Sequence, residues 1–126
     1  MARILIVDDE EAIRDLIKEV LTDGKHEFHL AADGAQAIDI VRKKTIDLAI
    51  VDRNMPGMTG IDVVQLIRQN PKTAQIKILM CTGASVTKEI DEAFAAGADD
   101  YVLKPLNFAQ LIGKVAKALA APPKQP

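Results

Sequence analysis

Four short apolar runs each break off at a charged or hydroxyl residue: ILIV at Asp8 and Asp9, IDLAIV at Asp52, IKILMC at Thr82, and YVL at Lys104. Runs this short, separated by segments of helical spacing, are the mark of strands buried on both faces of a parallel sheet. In open sheets of that kind ligands sit just beyond the carboxyl ends of the strands. The pattern therefore collects three carboxylates, a hydroxyl and an ammonium along one edge. That inventory suits a magnesium ion and a phosphoryl group, with one carboxylate left to accept the latter.

Between the runs the apolar residues recur with a helical period of about 3.6. Ala12, Ile13, Leu16, Ile17, Val20 and Leu21 recur at helical spacing, and Gly24 supplies a stop. Residues 28–31 form a short strand, and a helix follows over residues 34–43 with Ala37, Ile38 and Val41 inward and Asp33 as N-cap. The third strand covers residues 48–51, the loop NMPGMTG carries Pro and Gly breakers, and residues 61–68 are helical. Residues 76–81 make the fourth strand, residues 87–96 an Ala-rich helix ended by Gly97, residues 101–103 the fifth strand, and residues 107–120 the last helix. Strand and helix alternate five times, so the fold class is α/β, with right-handed crossovers placing helices on both faces of the sheet.

At 126 residues the chain fits one domain. We assign residues 1–121 to it and residues 122–126, within APPKQP, to a disordered tail, the start of a linker or a cloning remnant. Hydrophobic content of 48% and charged content of 27% belong to a globular chain rather than a disordered or membrane-spanning one. The net charge is −2 and the basic residues are scattered, so neither direct nucleic-acid binding nor membrane insertion is expected. MARILIVDD enters a strand without a secretory pattern, which places the chain in the cytoplasm. Cys81 lies alone in an apolar run, without a Cys or His partner in motif spacing, and is expected to act as a small hydrophobe.

The acids at the strand ends carry the chemistry. A single Asp where a strand enters a helix is an ordinary N-cap, but Asp8 and Asp9 followed by Glu10 and Glu11 exceed what one cap needs. Crowded carboxylates repel, and a divalent cation relieves them; an all-oxygen neighbourhood favours magnesium over zinc. Asp52 is a turn residue or a nucleophile, since an ionised carboxylate attacks phosphorus without a general base and yields an acyl phosphate. Magnesium would remove the repulsion between that carboxylate and the phosphoryl oxygens. Lys104 is the second positive group around the transferred phosphoryl, aimed by the extended backbone that Pro105 imposes, and Thr82 can donate its hydroxyl to another oxygen.

VDDE at positions 7–10, DRNMPGMTG at 52–60, CTGA at 81–84 and YVLKP at 101–105 together resemble the response-regulator receiver domain, of the CheY-like kind, over residues 2–120. The resemblance implies a flavodoxin-like (βα)5 sandwich with strand order 2-1-3-4-5. It implies that Asp52 is the phosphorylation site and that Asp8 and Asp9 are acidic metal-pocket residues, with Asp9, Asp52 and the backbone carbonyl of Asn54 binding magnesium directly. It further implies that Lys104 contacts the phosphate, that Thr82 and Tyr101 are the switch pair, and that the bond to Pro105 is cis. The implied donor is the phosphohistidine of a histidine kinase. The implied output is binding of a downstream protein to the surface of the fourth helix, fifth strand and fifth helix, chemotaxis being one pathway such a switch serves. The chain would then be no conventional enzyme but a signalling switch that catalyses its own phosphorylation and dephosphorylation, as a monomer or a phosphorylation-dependent dimer.

Two positions depart from the chemotaxis members of that family: Arg53 stands where they carry tryptophan, and Ala84 where they carry glutamate. Small Ala84 would leave an attacking water less hindered and the phosphoryl group short-lived. Of three rival readings, two fit less well. A dehalogenase-type phosphatase needs a second catalytic acid where Asn54 stands, and a nucleotide binder needs glycines and backbone amides where VDDEEA offers acids. A receiver-like module that is never phosphorylated and acts purely through interaction is the alternative left open even with every expected residue present, and detectable phosphorylation separates the two. His26 and His29 flank the second strand, so the donor histidine belongs to another protein.

Overall fold

A computed structural model describes residues 2–83 and 87–122. Its elements run β1 (Arg3–Val7), α1 (Glu11–Leu21), β2 (Glu27–Ala31), α2 (Gly34–Lys43), β3 (Leu48–Asp52), α3 (Gly60–Gln69), β4 (Lys77–Thr82), α4 (Thr87–Ala96), β5 (Asp100–Leu103) and α5 (Phe108–Ala120). All strands are parallel, in the order β2-β1-β3-β4-β5. The flavodoxin-like order implied by the resemblance is the one observed.

The continuous apolar runs are explained by two cores. Along β1, Leu5 and Val7 face one side while Ile4 and Ile6 face the other; β3 divides Ala49 and Val51 from Leu48 and Ile50, and β4 divides Ile78 and Met80 from Leu79 and Cys81. The first core is closed by Ala37 and Val41 of α2, Val63, Val64 and Ile67 of α3 and Ala93 of α4. The second is closed by Ile17 and Leu21 of α1 and Leu111 and Val115 of α5. Each fully buried Ile or Leu contributes roughly 1.5–3 kcal/mol relative to an exposed one, so the three central strands supply most of the driving force.

Helix starts follow the local chemistry. Asp33 accepts the Gln36 amide at 2.8 Å, Thr59 and Asp62 form a reciprocal capping box, and Asn107, expected inside α5, instead caps it by accepting from the Gln110 amide at 2.9 Å. The first helix ends differently from expectation. It closes at Leu21 into a 3₁₀ turn over Thr22–Gly24, and the left-handed residue is Lys25, with φ of 57°. The tightened last turn moves the reversal one residue onward, and what Gly24 provides is space: a Cβ there would lie 2.4 Å from the His26 ring.

Gly60 is required for close approach. A Cβ at this position would fall 2.3 Å from the Asp52 carbonyl oxygen and 2.7 Å from the Arg53 Cα, both rigid backbone atoms. The start of α3 is thus pressed against the strand end that carries Asp52, an arrangement fastened by the Gly60 amide donating to the Arg53 carbonyl at 3.0 Å. We expect Gly60→Ala to lower stability by roughly 1–3 kcal/mol through overpacking. Gly113→Ala, at an exposed position in α5 with nothing within 4 Å of its Cβ, should instead raise it by about 0.5–1 kcal/mol. Urea midpoints of the two variants measure the contrast, and equal midpoints would refute it.

Candidate functional site

The carboxyl ends of β1, β3, β4 and β5 carry Asp8, Asp52, Thr82 and Lys104 to a single edge of the sheet, as the run boundaries predict. Asp8 follows β1 directly and holds its place by donating its amide to the Ala31 carbonyl at 3.1 Å, while Asp52 and Thr82 are the last residues of their strands. Their relative exposures are 1%, 4% and 0%, so these polar groups are inside the protein. Burial of such groups is costly without partners. The Lys104 ammonium supplies one, standing 3.1 Å from Asp8 Oδ2 and 3.1 Å from Asp52 Oδ1.

The two carboxylates are further supported by backbone. Asp8 Oδ1 accepts the Glu10 amide at 2.9 Å, and Arg14 Nη1 donates to the Asp8 carbonyl at 2.6 Å. Neither Asp8 nor Asp9 is the N-cap of α1: that position belongs to Glu10, whose side chain makes no capping bond. The simple capping explanation for the paired acids is thereby set aside. Asn54 is exposed, and its amide makes a long 3.4 Å bond to Asp52 Oδ1.

Carboxylate oxygens of Asp8, Asp9 and Glu10 all lie within 4.8 Å of one another. Glu10 stood out in the sequence only as part of an acidic run; its oxygen is in fact one of the three. Among the described residues Asp52 meets this group at Asp8, through the shared lysine. The donor set is entirely oxygen, which fits a hard divalent cation and not a soft one.

Electrostatics mark Asp52 as the strained member. Burial, reinforced by the neighbouring Asp8 charge, raises its pKa above the ordinary 3.8, against the opposing pull of Lys104 and the Asn54 amide. Burial would lower the Lys104 pKa, but its hydrogen bonds and charge contacts with Asp8 and Asp52 outweigh that and raise it above 10.5. Burial pushes the Cys81 thiol up to about 12, so it is an inert core residue.

Tyr101, on β5, is partly buried. Phe94 of α4 meets its ring edge-on, with centroids 6.0 Å apart. Lys114 of α5 lies 4.2 Å from the ring centroid, is paired with Asp100 at 3.2 Å, and donates to the Tyr101 carbonyl. The Lys104–Pro105 bond is cis. Ala84 lies outside the described residues. A residue with a larger part than its sequence suggested is Arg53: its guanidinium pairs with Glu92 at 2.6 Å and Glu89 at 3.5 Å, both on α4. An Arg in a loop carries no sequence signal for such a contact.

The response regulator receiver domain family model matches residues 4–116. The chain is 40% identical to an uncharacterized transcriptional regulatory protein, YrkP, of Bacillus subtilis, covering 93% of this chain and 49% of that protein; it thus spans about half the length of that relative. It is 37% identical to chemotaxis protein CheY-3 of Vibrio cholerae, covering 91% of this chain and 89% of that one. Among solved structures, chemotaxis response regulator CheY4 of Vibrio cholerae superposes with a TM-score of 0.89 at 34% identity, over 94% of this chain and 99% of that one. A response regulator of Chloroflexus aurantiacus, titled putative, gives 0.90 at 32% identity, over 95% and 98%.

The pKa directions set the pH response. Between 3.8 and its raised folded value, Asp52 holds its proton more tightly in the folded chain than in the unfolded one, so its contribution to stability grows as pH falls through that window. Lys104 works oppositely: its contribution is complete below pH 10.5 and lost only as pH rises through its still higher folded value. Asp52→Asn should therefore stabilise the protein at pH 7, by about 0.5–2 kcal/mol, with the advantage over the parent shrinking toward pH 4. Lys104→Ala strands two carboxylates and should cost about 2–3 kcal/mol at pH 7. Urea titrations of the three proteins at both pH values decide this; a less stable Asp52→Asn at pH 7 would refute it.

Proposed function

The chain belongs to the response regulator receiver domain family, and from that premise we propose that Asp52 takes a phosphoryl group from a histidine kinase and relays its arrival to the face built by α4, β5 and α5. Receiver domains are the switches of two-component signalling, phosphorylated by histidine kinases and acting on downstream targets. The assignment within this chain rests on one observation: the Lys104 ammonium sits between Asp8 and Asp52 at 3.1 Å from each.

In the proposed reaction an Asp52 carboxylate oxygen attacks phosphorus in line with the phosphohistidine P–N bond, which breaks with its electron pair remaining on the imidazole. Lys104 is already poised at Asp52 and transfers one of its hydrogen bonds to a phosphoryl oxygen as charge builds there. Thr82 turns its hydroxyl to a second oxygen. Receiver domains generally bind magnesium at an acidic pocket; here Asp8, Asp9 and Asp52 with the Asn54 carbonyl would hold it, Glu10 adjoining. Bound there, the ion offsets the repulsion between the carboxylate and the phosphoryl oxygens.

Reorientation of Thr82 draws Tyr101 inward, against the contacts that Phe94 and Lys114 make with its ring. A charge-assisted hydrogen bond from Thr82 contributes about 1.5–3 kcal/mol, equivalent to roughly ten- to 150-fold in population, which is enough for a signal. Phe94, 44% exposed on α4, is the apolar centre of the surface that a target would cover. A chemotaxis protein is one such target, in keeping with the names of several relatives. We also propose that hydrolysis of the acyl phosphate is accomplished at the same site, so that the domain times its own signal.

Intact-mass measurement after acetyl phosphate and magnesium should show a gain of one phosphoryl group in the parent and none in Asp52→Asn. A gain in both removes Asp52 from its role. Magnesium alone, at 100-fold above its dissociation constant, should stabilise the parent by about 2.7 kcal/mol. Asp9→Ala should lose most of that increment, and an unchanged increment in thermal melts would refute the assignment of Asp9 to the metal.

A further inference from the structure

Arg53 is the residue after the phosphoacceptor, and its backbone is fixed on both sides: its amide donates to the Cys81 carbonyl at 2.8 Å and its carbonyl accepts from Gly60 at 3.0 Å. The side chain therefore leaves a rigid base. It runs to α4, where Nη2 meets Glu92 at 2.6 Å and Nη1 approaches Glu89 at 3.5 Å. Glu89 and Glu92 are three residues apart, one helical turn, so both face the same guanidinium fork. The Arg53 side chain is only 14% exposed, and its buried Nε has no hydrogen-bond partner among the described residues. A guanidinium held this far from water with a donor unmet has partners that are worth competing for.

Helix α4 is otherwise held by small side chains and one ring contact. Ala93 enters the core and the partly buried Ala96 packs against it, while Phe94, exposed on its outer side, meets the Tyr101 ring edge-on. A small methyl anchors far less than the Ile and Leu side chains that fasten the other helices. The ion pairs with Arg53 are the charged contacts that add to these in positioning α4, and they begin one peptide bond from Asp52.

We propose that Arg53 is a positioning residue that fastens α4 to the phosphoacceptor end of β3 through Glu89 and Glu92, and so sets how strongly modification of Asp52 is felt at Phe94 and Tyr101. This rests on the assignment of Asp52 as the acceptor. A doubly charged phosphoryl group on the neighbouring residue draws on the guanidinium that now serves the two glutamates. The glutamates' hold weakens, and α4 is released toward the arrangement that the Tyr101 switch favours. The route runs alongside the Thr82 hydroxyl rather than through it.

Hydrogen exchange across α4, with and without acetyl phosphate and magnesium, tests the proposal in the parent, Arg53→Ala, and the charge-reversed triple variant Arg53→Glu, Glu89→Arg, Glu92→Arg. Unmodified Arg53→Ala should exchange α4 amides about fivefold faster than the parent, as for loss of one partly buried ion-pair network. With intact mass reporting how much of each protein is modified, the further change in α4 per modified molecule largely disappears in this variant. The triple variant should recover slow exchange in the unmodified state. Unaltered α4 exchange in Arg53→Ala, or a modification-induced change of full size in that variant, overturns the proposal. If the parent itself gains no mass, the Asp52 assignment fails instead, and the unmodified proteins still decide whether Arg53 fastens α4.

Discussion

One ammonium makes this sheet edge physically tolerable. Asp8 and Asp52 are both withdrawn from water, and two buried anions so close would repel each other while each lost its hydration. Lys104, bonded to both at 3.1 Å, offsets part of both costs. The strand order explains how it gets there. β4 lies between β3 and β5, so a residue at the end of β5 must reach back across Thr82 at the end of β4 to touch Asp52. A four-carbon stem with a compact charge at its tip does this without bringing a planar guanidinium into the site. Thr82 then lies between Asp52 and the cation by topology alone.

That logic is why the edge was legible in the chain itself. Strands buried on both faces must be apolar at consecutive positions, so the first polar residue after each run marks the strand end, and parallel strands put all those ends on one side. Asp52 and Thr82 prove to be the final residues of β3 and β4, and Asp8 and Lys104 the first beyond β1 and β5. Helix boundaries came within a residue or two for the same kind of reason, since Asp33, Thr59 and Asn107 satisfy amides that would otherwise be orphaned.

Long-range charge pairing was not legible. Arg53 and Arg68 look alike in the sequence, each a charge near an apolar stretch. Arg53 ties a loop to α4, whereas Arg68 leaves α3 to donate to the carbonyls of Gly97 and Ala74 and to pair with Asp99, knitting together the opposite, amino-terminal edge of the sheet. The ion pairs Arg53–Glu92 and Arg68–Asp99 join residues 39 and 31 positions apart, beyond the reach of any local pattern. The same holds for Lys25, whose left-handed backbone follows from a 3₁₀ turn rather than from its own preference, and for Glu10, whose carboxylate joins Asp8 and Asp9 only because of how the chain turns into α1.

A receiver has to be ready without being settled, and the charge arrangement provides that condition. Burial and the Asp8 charge raise the Asp52 pKa despite the opposing pull of Lys104, so the lysine offsets only part of what burial costs the ionised carboxylate. On the proposed function, a cation or a phosphoryl group entering the edge would meet a carboxylate whose charge is only partly offset, and part of its binding energy would go into rearranging its neighbours. Lys104, Thr82 and Arg53 each stand where a new anion on Asp52 would change the balance of their bonds, and each lies on or contacts a different element. On the proposed function, a single covalent change at Asp52 would bear on β4, β5 and α4 together, because Thr82, Lys104 and the partners of Arg53 lie on those elements or just beyond them.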